Sequence, residues 1–291
     1  MENALNYSKL SKMPFPWYGY AAAVWLVAAE ILMFARIEPF LTWFTPIQWT
    51  GLIFLLDAIL VKLGEESFIF RRTREFLYML FVSNVVWFGF EGYNLHLQNW
   101  KYVGLPESYW VRAVGYVWSF ATIFPGVLLT SRIIDRLGVF DFVRFRPVAV
   151  SRGWRAGFMI FGFLSVTIPL LVPQEIARYL FAFVWVGFVF LIDPINDRLG
   201  MPSLLRELEE GTLRKLFSLF LSGIICGFLW EFWNYWAGTK WIYTVPFLTE
   251  PRIFEMPLFG FLGFLPFAAE CYVFWQLSLW LRRRLSSENR R

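Results

Sequence analysis

The chain has 291 residues, of which 58% are hydrophobic, 21% aromatic and only 17% charged, with a mean hydropathy of +0.51. That composition excludes one or two soluble domains and points to a polytopic membrane protein. The 27 Lys and Arg outnumber the 22 Asp and Glu, a surplus that suits anionic lipid headgroups rather than nucleic acid.

A span needs about 20 mostly apolar residues to cross about 30 Å of hydrocarbon. Eight such stretches follow one another near 17–35, 44–63, 76–96, 109–134, 154–172, 177–195, 213–236 and 254–281. The expected fold class is all-α, with about eight transmembrane helices. The first stretch follows Lys9 and Lys12 but lacks a small-residue cleavage site, so it reads as a retained helix rather than a signal peptide. With the loops alternating sides, 21 of the 27 Lys and Arg fall on the side of the termini, and only Arg36, Lys101, Arg112, Arg178, Lys240 and Arg252 fall opposite. The positive-inside rule then puts both termini in the cytoplasm of a multi-pass protein of a cytoplasmic membrane. Cys226 and Cys271 lie inside spans without CxxC spacing and read as apolar packing residues.

The chain also repeats itself. "WTGLIFLLDAILVKLG" (49–64) and "WVGFVFLIDPINDRLG" (185–200) match without a gap at 8 of 16 positions. "FGFEGYNLHLQNWKYVGLP" (88–106) aligns with "FLWEFWNYWAGTKWIYTVP" (228–246) at a spacing of 140, which sets Glu91 on Glu231, Asn94 on Asn234 and Pro106 on Pro246. Two four-helix repeats are expected, 1–140 and 150–291, joined by a basic cytoplasmic linker at 141–149. An even number of spans per unit makes them parallel rather than inverted.

Ionisable side chains inside a span cost a few kcal/mol and are functional candidates by default. Glu91 with Asn94 and Glu231 with Asn234 sit three residues apart, which places each pair on one helix face toward the outer leaflet. Glu255 falls at a similar level at the start of the last span, and Glu30 and Glu270 are further candidates. One reading has these groups tie helices together. The other has a carboxyl kept protonated by apolar surroundings, its pKa raised toward neutrality, acting as a proton donor. Asp57 and Asp193 each precede a base by five residues, Lys62 and Arg198, and read as an ion pair or helix-end feature; a magnesium–diphosphate reading of "DPINDRLG" has little behind it. Trp230, Trp233 and Trp236 recur every three residues beside Glu231, with Trp241 and Tyr243 close behind and Tyr93 beside Glu91. They read as interfacial anchors or as walls around a cation.

A single histidine, His96, excludes the histidine-rich di-iron sites of membrane desaturases, and its place near the outer boundary suggests capping. No P-loop, dinucleotide fingerprint or GxSxG motif is present. No metal and no cofactor are expected, so any chemistry falls to carboxyls, amides and tyrosines.

Glu231, "KWIYTVP" and "RIFEMPLFGFLGFLPFAAECY" (252–272) together resemble the integral-membrane carotenoid cyclases and carotenoid hydratases. The likeness rests on an intramembrane Glu, an aromatic outer loop and a Pro-Leu element, here Pro257 and Leu258 after Glu255. The first repeat has Gly115 where Glu255 stands, and the paired acids that follow the proline in the cyclases are absent. The resemblance implies an enzyme that protonates an isoprenoid double bond of a carotenoid- or hopanoid-like terpenoid, holds the cation, and then loses a proton or adds water. Glu231 would be the acid and Asn234 its positioning group. Glu255 or Glu91 would be the base, and Trp230, Trp233 and Tyr243 the shield. The alternatives are a proton-coupled transporter and a lipid-binding or scaffold membrane protein.

Overall fold

The computed structural model describes residues 14–288, so Lys9, Lys12, Arg290 and Arg291 lie outside the described residues. In chain order it contains α1 (Trp17–Phe34), α2 (Phe44–Lys62), α3 (Thr73–Leu97), β1 (Trp100–Val103), α4 (Tyr109–Ala121), α5 (Ile123–Arg136), α6 (Arg152–Leu171) and α7 (Gln174–Ala177). Then come α8 (Phe181–Arg198), α9 (Leu204–Glu210), α10 (Arg214–Trp236), β2 (Lys240–Tyr243), β3 (Arg252–Ile253), β4 (Met256–Pro257), a 3₁₀ turn (Leu258–Gly263) and α11 (Phe264–Glu288).

The protein is a helical membrane protein. Among the described residues, six stretches are long and apolar enough to cross a membrane: α1, α2, α4 with α5, α6, α10, and the 3₁₀ turn with α11. The 25 residues of α3 and the 18 of α8 are of similar length but carry more polar groups, Glu91 and Asn94 in α3 and Asp193, Asn196 and Asp197 in α8. Peripheral α1 and α6 turn Val24, Val27 and Ile31, and Ile160, Phe163 and Leu171, outward.

Two expectations change. The stretch 109–134 is not one uninterrupted helix but breaks at Thr122. Pro125 has no N–H to continue the ladder, and the N–H of Phe124 turns instead to Ser83 Oγ of α3 at 3.1 Å. The last stretch does not start as an α-helix: its first ten residues, 254–263, form the turn after β3, β4 and the 3₁₀ turn, where Pro257, Gly260 and Gly263 disfavour a regular helix.

The ends of α2 and α8 are built alike. Gly64 and Gly200 take φ of +86° and +70°, as a left-handed helix cap requires. The N–H of Gly64 bonds to Val61 O at 3.0 Å and that of Glu65 to Leu60 O at 3.0 Å; Gly200 to Asp197 O (3.1 Å) and Met201 to Asn196 O (2.9 Å) repeat the pattern. Asp57 then accepts from the N–H of Phe68 at 2.7 Å and Asp193 from that of Leu204 at 2.8 Å, each eleven residues on. Tyr18 and Ser67 complete the Asp57 carboxylate, and the Leu205 N–H that of Asp193. These aspartates therefore fasten the following turn, the helix-end role of the two expected.

The centre of the bundle is α5, α10 and α11. Ser222 Oγ donates to Val127 O at 2.7 Å, and Asn196 Nδ2 of α8 to Val273 O at 2.9 Å. Cys226 and Cys271 are buried here with free thiols. At the crossing of α6 and α8, a Cβ on Gly162 would lie 2.4 Å from Leu191 N and 2.7 Å from Gly187 O, so only glycine permits this approach. At one end of the bundle β1 and β2 form an antiparallel pair that bridges the two halves of the chain.

Candidate functional site

The site is assembled by that small sheet. Its register sets Trp100 opposite Tyr243 and Tyr102 opposite Trp241, so strand alternation puts all four rings on one face. Tyr102 OH donates to Glu91 Oε1 at 2.6 Å, and Tyr243 OH to Glu231 Oε1 at 2.7 Å. The asparagines hold the strand backbones. Asn94 Nδ2 donates to Trp100 O at 2.9 Å while its Oδ1 accepts from the N–H of Asn99 (2.9 Å) and of Trp100 (3.2 Å). Asn234 gives and takes the same two bonds with Trp241 O and N–H, both at 2.9 Å.

These bonds correct the alignment drawn from sequence. Trp100 corresponds to Trp241 and Tyr102 to Tyr243, a spacing of 141, because the turn between helix and strand is one residue longer in the second half. The shared element is Trp-x-Tyr, and Trp100 and Tyr102 were missed as site residues although "WKY" and "WIY" carry the signal once one insertion is allowed.

The two acids differ in their surroundings. Glu91 is half-buried, and its Oε1 also accepts from Trp100 Nε1 at 3.2 Å. Glu231 is 0% exposed. Trp241 Nε1 turns to the Tyr243 hydroxyl at 2.9 Å rather than to the acid, and Glu231 Oε2 has no hydrogen-bond partner. Burial, followed by the neighbouring glutamate, pushes the Tyr102 and Tyr243 hydroxyls well above the ordinary tyrosine range, so both remain donors.

Beneath the sheet the packing is aromatic. Trp49 lies 4.6 Å from Trp230 and 5.3 Å from Trp233 between ring centroids, and Trp230 lies 5.7 Å from Phe267. Phe267 also packs on Trp87 at 5.7 Å, joining the surroundings of the two acids. Trp233 Nε1 donates to Glu30 Oε1 at 3.0 Å. The indole N–H groups of Trp49 and Trp87 are buried without a partner.

Other candidates are not part of the two Asn and Tyr–Glu clamps. Glu255 is held by Lys240 Nζ at 2.6 Å. Tyr93 OH donates to Val166 O of α6 at 2.8 Å, away from the sheet. Trp236 is 42% exposed and packs on Phe34, as an interfacial anchor would. His96 Nε2 meets Val172 O at 3.0 Å. Asp197 is taken by Arg155 and Arg206, and among the described residues no group of acids, His or Cys is placed to hold a metal ion. Glu270 is 1% exposed with neither oxygen bonded.

No family model, curated protein or solved structure matches this chain.

Proposed function

We propose that the protein is an integral-membrane enzyme of terpenoid lipid metabolism, performing acid/base isomerisation, cyclisation or hydration of an isoprenoid double bond. The observation that carries this reading is Glu231: wholly buried, one oxygen fixed by Tyr243, the other unbonded, on the helix that also carries Trp230 and Trp233. A membrane lipid is the natural substrate for such an interior, because an apolar chain reaches it without crossing water.

In the proposed step the Glu231 carboxyl gives its proton to one alkene carbon, leaving a carboxylate on Glu231 and a tertiary cation on the substrate. Tyr243 keeps its bond to Oε1 and stabilises the new carboxylate. The indole faces stabilise the cation, by around 2 kcal/mol or more in a site without water. Loss of a proton from a neighbouring carbon gives an isomer directly, or a ring where a second double bond of the same chain has first attacked the cation to form the new C–C bond; addition of water with loss of its proton gives an alcohol. In the first case the proton returns to Glu231 and in the second it replaces the one consumed, so no redox partner is needed. Asn234 positions the strand that carries Tyr243. Glu91, across the sheet, is the second acid/base group in preference to Glu255, which Lys240 already neutralises.

The same proposal includes two four-helix units of common origin, eight spans, and the sheet at the outer face with both termini cytoplasmic. The matched caps at Gly64 and Gly200, the matched aspartates and the matched Trp-x-Tyr clamps support a shared origin. The concentration of bases at the end opposite the sheet supports the orientation.

The test is a lipid profile of cells lacking the protein, complemented with wild type or Glu231→Gln. Wild type restores the missing terpenoid, and Glu231→Gln leaves its precursor while eluting in detergent as a folded protein. Restoration by Glu231→Gln would refute the enzyme. A scaffold reading is favoured by one fact, that both halves make the same Asn and Tyr–Glu bonds; it predicts unchanged lipids on deletion.

A further inference from the structure

At the end of the bundle opposite the β1–β2 sheet, α3 and α5 from the first half and α10 and α11 from the second enclose a cavity of about 380 Å³. That volume is within the range of small-ligand sites. Its floor is apolar, with Met79, Leu129, Tyr272 and Trp275, and its rim is charged. Most rim charges are matched one to one: Glu75 with Arg72 at 2.6 Å, Asp135 with Lys215 at 2.7 Å, and Arg214 with Asp141 at 2.9 Å.

Glu65 breaks that balance. Its carboxylate, with a side chain only 3% exposed, accepts from both Arg132 and Arg136, whose side chains remain 40% and 46% exposed. Two guanidiniums share one negative charge, so one positive charge is in surplus. Both bonds run through Nε, which leaves the Nη groups of both arginines uncommitted to Glu65. Guanidinium Nη pairs suit the oxygens of a phosphate, which they bind in bidentate fashion. Arg132 is further fixed over the Phe68 ring, 5.2 Å from its centroid.

We propose that this cavity binds a phosphate-type anion carried by an amphiphile. The anion sits on Arg132 and Arg136, and the first carbons of the attached chain lie against Tyr272 and Trp275. Apolar walls strengthen the ionic contact by lowering the local dielectric constant. The site is separate from the proposed acid: Lys215 at the rim and Glu231 are sixteen residues apart on α10, roughly 24 Å along the helix. Either proposal therefore fails without the other.

The experiment uses the full chain in a neutral detergent, with dioctanoyl phosphatidic acid, dioctanoyl phosphatidylcholine and inorganic phosphate as probes. Phosphatidic acid is expected to bind at least tenfold tighter than phosphatidylcholine. Arg132→Gln and Arg136→Gln each weaken phosphatidic acid at least tenfold, and Glu231→Gln leaves it unchanged. Gln276→Trp, which fills the cavity without touching an ion pair, does the same as the arginine variants and serves if they do not fold. Tighter binding of phosphatidic acid than of inorganic phosphate assigns the ligand to the lipid, and equal affinity supports the anion site but assigns it to free phosphate. Equal binding of the two lipids, or undiminished binding by Arg136→Gln or Gln276→Trp, would overturn the proposal.

Discussion

Replacing Asn234 by Ala removes two bonds at once. Asn234 is 0% exposed, and its amide satisfies both the N–H and the C=O of Trp241 at 2.9 Å. A buried backbone group left without a partner costs about 1–3 kcal/mol. The strand itself is half-buried, so water recovers part of this, and the expected loss is about 2–4 kcal/mol. At a factor of ten per 1.4 kcal/mol, the Trp241 amide should exchange its hydrogen roughly 30- to 700-fold faster. Asn94→Ala breaks the equivalent clamp where Asn94 is half-buried, so its cost is expected to be about 1–2 kcal/mol. Hydrogen-exchange mass spectrometry on the peptides covering β1 and β2 reads both variants in detergent. Exchange at the wild-type rate in Asn234→Ala, or a larger effect from Asn94→Ala, would refute the reasoning.

Alkaline titration should leave Tyr102 and Tyr243 un-ionised while exposed tyrosines form phenolate, because burial and a glutamate neighbour raise both. The sign follows: an acid whose folded pKa is raised contributes full stability below the unfolded value, about 10, and loses it as pH rises beyond, where the unfolded chain releases the proton first. Tyr243→Phe should leave the phenolate absorbance of the folded protein unchanged below its unfolding pH, and a reduced amplitude would show that Tyr243 titrates normally. Glu270→Met should raise thermal stability by about 1–3 kcal/mol, since it replaces a buried carboxyl with no hydrogen-bond partner by an apolar side chain of similar length; a fall in melting temperature would mean that the carboxyl has an essential partner. Gly162→Ala should destabilise by about 1–3 kcal/mol by forcing α6 from α8, read as a lower melting temperature than a Gly157→Ala control, where a Cβ meets open space.

Each of the eight apolar stretches contains a helix, because length and hydropathy are local properties. The interruption at Thr122 was not legible, since Pro125 alone does not announce that Ser83, 41 residues earlier, takes the N–H of Phe124. The helix caps were partly legible: Leu-Gly after Asp-x4-[Lys/Arg] marks the end of α2 and α8, and the spacing left open an ion pair or a helix-end feature for Asp57 and Asp193, of which the backbone N–H bonds show the second. In the site, Glu91, Glu231 and the asparagines stood out by their polarity. Trp100 and Tyr102 did not, because their role depends on strand register, and a gapless alignment shifted that register by one and moved every ring to the wrong face. The cavity rim was invisible from sequence for a different reason. Glu65 meets Arg132 and Arg136 about 70 residues away, and no local pattern encodes that contact.

The asymmetry between the two clamps is the strongest physical hint about their roles. Both tyrosines hold their glutamates at nearly the same distance, 2.6 and 2.7 Å, so fastening the sheet explains one oxygen of each acid. In the first clamp the indole of Trp100 adds a second bond to the same acid, which is half-buried. In the second clamp the indole of Trp241 is spent on the tyrosine, and a fully enclosed carboxyl is left with an unbonded oxygen. A group kept only to tie strand to helix gains nothing from that arrangement, because an unbonded buried oxygen is a cost. The half-buried Glu91 carries no such enclosed, unbonded oxygen, and the one on Glu231 is where the proposed chemistry places the substrate.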